Sequence, residues 1–340
     1  MTTAHQTDAR ESDAHAELRS RFRGFVTNCA VHDWVALGFL ALPPVALLAT
    51  GPLTSERKQA IVSHVLLWLF VAGAVLAGRL GSGVRSWSVG VYYRVALASA
   101  MSVTYVLLGN SLPLLSSRVL DRELYHLDLQ LFGLEPAVLM ERWATPVTTD
   151  WFSFFYLGYF GIIAFFLMPL VFTTKSAKLG AELAFTVLFV YGVGQTLYVF
   201  VPGYGPLRAL TEAFHHELPG GPIFNGMHAF VSDAGAKKDI FPSLHTGIPV
   251  ALTLIGFRHR HEIGHAWIPV AFVTVNTVIA TMFLRWHYLI DVVAGLLLAF
   301  GTVALAEAVV SWELARREKF GLPDLWLAWP ARPVARPSEA

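Results

Sequence analysis

Two short strings carry side chains able to move a phosphoryl group. The first, Phe241-Pro242-Ser243-Leu244-His245, places a proline, a hydroxyl and an imidazole at the start of an apolar run. Proline in a helix's first turn loses no needed hydrogen bond, and the unpaired N–H groups and positive dipole end of that turn attract anions. Ser243 then offers a hydroxyl at an anion site, and His245, within the first turn, is placed to donate a proton to a phosphate oxygen. A plain helix cap would use the same residues.

The second string is Arg285-Trp286-His287-Tyr288-Leu289-Ile290-Asp291. His287 and Asp291 are four apart, so on a helix they share a face and the carboxylate can accept from one ring nitrogen, leaving the other as a nucleophile. Asp291 sits about one turn inside an apolar run, where an ionised carboxylate is costly unless paired, so it needs His287 or Arg285 beside it. The alternative is a His–Asp pair that only anchors the helix at the interface. Arg208, in Gly203-Tyr204-Gly205-Pro206-Leu207-Arg208, and Arg285 could together clamp one phosphate. Taken singly, either also suits an arginine snorkelling to a membrane surface.

A third string points to another chemistry. His261-Glu262-Ile263-Gly264-His265 matches the zinc-protease pattern, in which two histidines bind zinc and the glutamate activates water. It stands beside Arg258, His259 and Arg260 in a polar turn, and Gly264 weakens the helix the ligands require. A solvated histidine-rich loop is the better reading. His64, Gln195 and Asn276 lie in apolar runs and read as bonds to neighbouring helices. Asp128 and Glu135 read as members of a surface helix.

The elements that must position these residues are membrane helices. The 340 residues are 55% hydrophobic and 14% charged, well off the roughly 25% charge of soluble domains. A net charge of +1 gives no bulk field for nucleic acid, and Cys29, the one cysteine, allows neither an internal disulfide nor a cysteine-built metal site. Apolar stretches at about 34–52, 59–78, 91–114, 151–173, 180–201, 244–257, 266–284 and 287–310 approach the ~20 residues that cross a bilayer core. The chain is therefore expected to be an all-α polytopic membrane protein with about eight spans, six at the least. The sixth is short, and prolines at 43, 44 and 249 interrupt two of the runs.

The expected organisation is a polar N-terminal segment (1–31), three helices (32–114), an interfacial segment (115–150), a catalytic membrane core (151–310) and a tail (311–340). The proline-rich tail is expected to be partly disordered, and the Gly/Pro-dense 202–241 stretch reads as a structured loop. With eight spans, sixteen Lys and Arg fall on the side of the termini and nine on the other. The positive-inside rule then puts both termini in the cytoplasm and the two histidine strings at the extracytoplasmic face.

The pair FPSLHTG and RWHYLIDVVAG, preceded by GYGPLR, resembles the type 2 phosphatidic acid phosphatase superfamily. It is most similar to the branch of inositol phosphorylceramide and sphingomyelin synthases. The resemblance covers about residues 120–300 and implies that family's helical core. It makes His287 the nucleophile that becomes phosphohistidine, Asp291 its orienting partner and His245 the proton donor to the leaving oxygen. Arg208, Arg285 and Ser243 would hold the phosphate. It departs from the phosphatases in lacking a Lys before Arg208 and a Pro after it, in Leu244 standing for a glycine, and in the close spacing of Arg285 and His287. The compact His-Tyr-x-x-Asp form favours transfer over hydrolysis. The resemblance thus implies a lipid phosphotransferase whose partners are a membrane lipid and a polar alcohol or water, with no nucleic acid. It implies no metal or other cofactor, because arginines and the helix terminus supply the positive charge. A lipid phosphate phosphatase, in which water takes the phosphoryl group, is the alternative, and a transporter with proton-relaying histidines stands further off.

Overall fold

A computed structural model describes residues 15, 19–80, 87–233 and 238–326, and among them the regular structure is helical throughout. The principal helices are α1 (Val31–Ala49), α2 (Ser55–Leu80), α3 (Trp87–Leu115), α4 (Asp121–Phe132), α5 (Pro136–Met140) and α6 (Pro146–Thr173). After these come α7 (Ala177–Phe200), α8 (Pro206–Ala209), α9 (Pro222–Asp233), α10 (Leu244–Arg258), α11 (Trp267–Phe283) and α12 (Leu289–Phe320). Six of them, α1, α2, α3, α6, α7 and α12, are long and apolar enough to cross a membrane. The chain is an all-α polytopic membrane protein, as its composition predicts.

Local chemistry sets the helix ends. Thr145 caps α6 by accepting from the Thr148 amide at 3.2 Å, with Pro146 in the first turn where its missing N–H costs nothing. Ser176 caps α7 through the Leu179 amide. Gly133, at φ 72°, closes α4 by donating its N–H to the Leu129 carbonyl. The 202–241 stretch, read from its glycines and prolines as loop, contains the twelve-residue helix α9. The last span outruns its apolar pattern by ten residues to Phe320, and Leu325 and Trp326 fold back into the interior. Of the tail expected to be disordered, residues 327–340 lie outside the described residues, as does most of the N-terminal segment.

α7 is the hub. α1, α3, α10 and α12 all pack on it, while α11 and α6 pair beside α10. The polar residues of the spans face neighbouring helices: His64 meets Ser111 at 2.9 Å, Gln195 donates to the Met101 carbonyl, and Trp151 donates to Asn276. α10, with 15 residues, spans only about 22 Å, some 8 Å less than a ~30 Å hydrocarbon core. Its first turn carries His245 and stands at the site.

Candidate active site

The interfacial segment is the platform on which the site is built. Asp128, fully buried on α4, accepts from the Leu289 and Ile290 amides at 2.7 and 2.8 Å, satisfying the first free donors of α12. Seven residues earlier on the same helix, Asp121 accepts from the Tyr204 and Gly205 amides and, at 3.2 Å, from the Tyr288 hydroxyl. One helix thus holds both the loop bearing Arg208 and the start of the helix bearing Asp291. The surface-helix reading of Asp128 and Glu135 is overturned: both are buried, Glu135 accepts from the Ala137 amide, and burial together with the Asp128 charge pushes its carboxyl up to about 8. Their acidic, amphipathic surroundings resembled a surface helix because their partners lie far along the chain.

The two histidine strings are joined backbone to backbone. The Ser243 amide donates to the Asp291 carbonyl at 3.0 Å, and the Leu207 amide donates to the Arg285 carbonyl at 2.7 Å. Both junctions need glycine. A Cβ on Gly295 would stand 2.5 Å from the Ser243 carbonyl oxygen, and one on Gly205, at φ 87°, would stand 2.3 Å from that of Trp286. Pro242 lies one residue outside the helix rather than in its first turn, because Ser243 is the N-cap. His245 occupies the first turn, as its position in the string predicts.

These junctions bring the imidazoles of His245 and His287 to 6.4 Å between ring centroids. His245 is held by stacking on Tyr156 at 4.4 Å and by a tilted contact with Tyr159 at 4.4 Å. Its Nε2 is buried and has no hydrogen-bond partner among the described residues. His287 turns Nδ1 toward Asp291 Oδ2 at 3.4 Å, and that oxygen also accepts from the Tyr288 amide at 2.9 Å. Burial pulls the His287 imidazole down to about 4 against the opposing charge of Asp239, so at neutral pH the ring is an uncharged base.

Both histidines line a cavity of about 360 Å³. Arg208 lines it too, its guanidinium 5.9 Å from the Tyr204 ring. Arg285 does not join it. Its guanidinium pairs with Glu141 at 3.1 Å and lies 3.7 Å over the Phe214 ring, so the two-arginine clamp expected from sequence is not assembled. Arg285 shapes the backbone instead, reversing the chain between α11 and α12 at φ 64°. The Ser243 hydroxyl is buried at the head of α10, with no hydrogen-bond partner among the described residues.

Sequence reasoning missed Asp239. It lines the cavity, accepts from the Tyr105 hydroxyl at 2.6 Å, and is pushed upward by burial, with Tyr105 opposing. An aspartate two residues ahead of FPSLH was the available signal. The zinc-protease string does not form a helical ligand pair. Gly264, at φ 65°, ends the short helix after Ile263 and separates His261 from His265, while Glu262 bonds His259 at 2.9 Å. Among the described residues no group of three or more His, Cys, Asp or Glu is gathered as a metal cage.

No curated protein and no solved structure matches the chain. The model of the PAP2 superfamily, by contrast, matches residues 122–305, more than half of the sequence, beginning on the α4 platform and ending within α12. With both histidines, their aspartate and Arg208 inside that range, the chain belongs to the PAP2 superfamily.

Proposed function

We propose that the protein is a lipid phosphotransferase that passes a phosphoryl or phospho-head-group through a phosphohistidine on His287. The observation that carries the reading is the pair of facing imidazoles, 6.4 Å apart, at one cavity with Arg208. Phosphoryl transfer demands positioning and charge more than covalent machinery, and the parts match that demand.

With Nδ1 turned to Asp291, Nε2 of uncharged His287 attacks phosphorus. The P–N bond forms as the bond to the leaving oxygen breaks. Burial holds His245 uncharged, so it takes up a proton as the anionic phosphate enters beside it and gives that proton to the leaving oxygen. A second alcohol then attacks phosphorus and breaks the P–N bond, returning its proton to His245. Arg208, the Ser243 hydroxyl and the N-terminal turn of α10 hold the charge on the remaining oxygens. Arg285 acts through Glu141 by fixing the turn ahead of His287. Asp239 joins this set, its charge steadying a positively charged ring intermediate.

Membrane burial and an aromatic cavity suit a lipid donor, and a site at the extracytoplasmic face with both termini cytoplasmic admits a polar acceptor from water. The compact His-Tyr-x-x-Asp spacing supports transfer, with a sphingolipid or inositol-bearing lipid as the kind of substrate. Purified protein given a phospholipid labelled on phosphorus and an alcohol acceptor tests the reading. Label in a new phosphodiester supports it, and label released only as phosphate makes the protein a phosphatase. Exchange undiminished in His287→Ala removes the nucleophile.

A further inference from the structure

α3 lies outside the stretch matched to the PAP2 model, yet it forms one wall of the cavity. Ser102, Tyr105 and Val106 stand at i, i+3 and i+4 on one helical face, and all three line the space that His245 and His287 also line. Opposite them α7 contributes Tyr191 and Tyr198, and α6 contributes Tyr159, whose hydroxyl bonds that of Tyr191.

The depth of these hydroxyls is informative. Tyr191 is nine residues from the Phe200 end of α7, about 14 Å into the span at 1.5 Å per residue. Polar groups at that depth are expensive unless they serve a partner, and here they face the cavity. The Tyr105 hydroxyl is already bonded to Asp239. The Tyr159–Tyr191 bond uses only one of its two hydroxyl protons, so a plain hydrocarbon chain would leave the other proton and the Ser102 hydroxyl without a partner. The space between the histidines and this wall therefore suits a ligand segment that carries oxygen. Toward the bilayer the cavity is rimmed by apolar side chains open to the surroundings, Val106 at 66% exposure, Phe230 at 50% and Phe160 at 42%, a rim suited to hydrocarbon.

We propose that the α3 face of Ser102, Tyr105 and Val106, with Tyr191 across from it, is a specificity subsite for the oxygen-bearing backbone of a lipid, the segment between its phosphate and its chains. Hydroxyl and carbonyl oxygens would be read there by hydrogen bonds, and the chains would leave past Val106 and Phe160. The inference rests on the phosphoryl-transfer reading and names the part of the substrate that α3 selects.

The test compares kcat/KM for three phosphate probes in the full-length enzyme and in Tyr191→Phe and Ser102→Ala. Hexadecyl phosphate carries no oxygen beyond the phosphate ester, a hexadecyl-glycerol phosphate adds a hydroxyl, and a diacylglycerol phosphate adds ester carbonyls. The preference for an oxygenated probe over hexadecyl phosphate should fall about tenfold in at least one variant, the scale of one hydrogen bond of ~1.4 kcal/mol. Which probe loses its preference separates hydroxyl from carbonyl recognition. Preferences unchanged in both variants, or all three probes slowed equally, overturn the subsite. Ser102 is at an exposed position, so Ser102→Ala keeps the test available if Tyr191→Phe misfolds. A wild-type enzyme no better than His287→Ala on every probe would instead overturn the phosphoryl-transfer reading, and the subsite with it.

Discussion

The Ser243 amide donates to the Asp291 carbonyl at 3.0 Å, so the residue that caps α10 and the third residue of α12 are tied by one backbone hydrogen bond. His245 lies two residues beyond the first and His287 four before the second. The separation of the imidazoles is thus fixed by main-chain contacts, and side-chain freedom adds little to it.

Gly295→Ala should cost activity well before it costs the fold. Its Cβ would stand 2.5 Å from the Ser243 carbonyl oxygen and 3.1 Å from Thr246 Cβ, forcing α10 and α12 apart beside His245 and His287. A displacement near 1 Å between reacting groups lowers rates by about 100-fold. Gly301→Ala, on the same helix with nothing within 4 Å of the new methyl, is the control and should keep wild-type turnover. Equal rates in the two variants would show that the helix junction does not set the geometry.

Asp128→Ala removes the acceptor for two amides at the head of α12. Losing such a cap costs about 1–2 kcal/mol. Thermal unfolding in detergent should shift downward, and kcat should fall because His287 and Asp291 lose their common anchor. Asp128→Asn, which keeps one acceptor oxygen, should recover part of both. A surface carboxylate would leave both readings unmoved.

Glu135 predicts the direction of a pH effect. Burial first, then the charges of Asp128 and Asp291, raises its carboxyl from 4.5 to about 8. Between those values the folded protein binds a proton that the unfolded chain has released, so this group's contribution to stability falls as pH rises through the window. The midpoint of thermal unfolding should decline from about pH 5 to pH 8 in the wild type, and Glu135→Gln should flatten the decline. A steeper fall in that variant would contradict the assignment.

His245→Gln separates general-acid work from nucleophilic attack. With a lipid alcohol as leaving group, which needs a proton, turnover should drop by about 100- to 10,000-fold. With a p-nitrophenyl phosphate ester, whose leaving group departs as an anion, the loss should be much smaller. His287→Ala should abolish both. If His245→Gln slowed both substrates equally, His245 would hold the phosphate or the fold rather than supply the proton.

The features legible in sequence were those encoded within a few residues. Helical spacing related His287 to Asp291, and apolar length marked the spans to within a few residues at most ends. Residues whose partners are distant were not legible. Asp121 meets Tyr204 across 83 positions, Asp128 meets Leu289 across 161, and Glu141 pairs with Arg285 across 144. Short-range patterns carry no trace of these pairings, so Arg285 looked like a phosphate ligand and Asp128 like a surface residue. α3 was silent for the same reason: Tyr105 gains meaning only once Asp239 is beside it.

Sidedness decides which solution meets the cavity. Asn225 on α9 is exposed at the histidine end of the bundle, while His265 is exposed in the turn between α10 and α11 at the opposite end. In a Cys29→Ser background, which removes the one native thiol, Asn225→Cys should react with an impermeant maleimide added to intact cells. His265→Cys should react only after the membrane is opened. This follows from the sixteen-to-nine bias of Lys and Arg toward the side of the termini. The reverse labelling pattern would turn the site toward the cytoplasm and make its acceptor a cytoplasmic alcohol, leaving the chemistry of His245 and His287 intact.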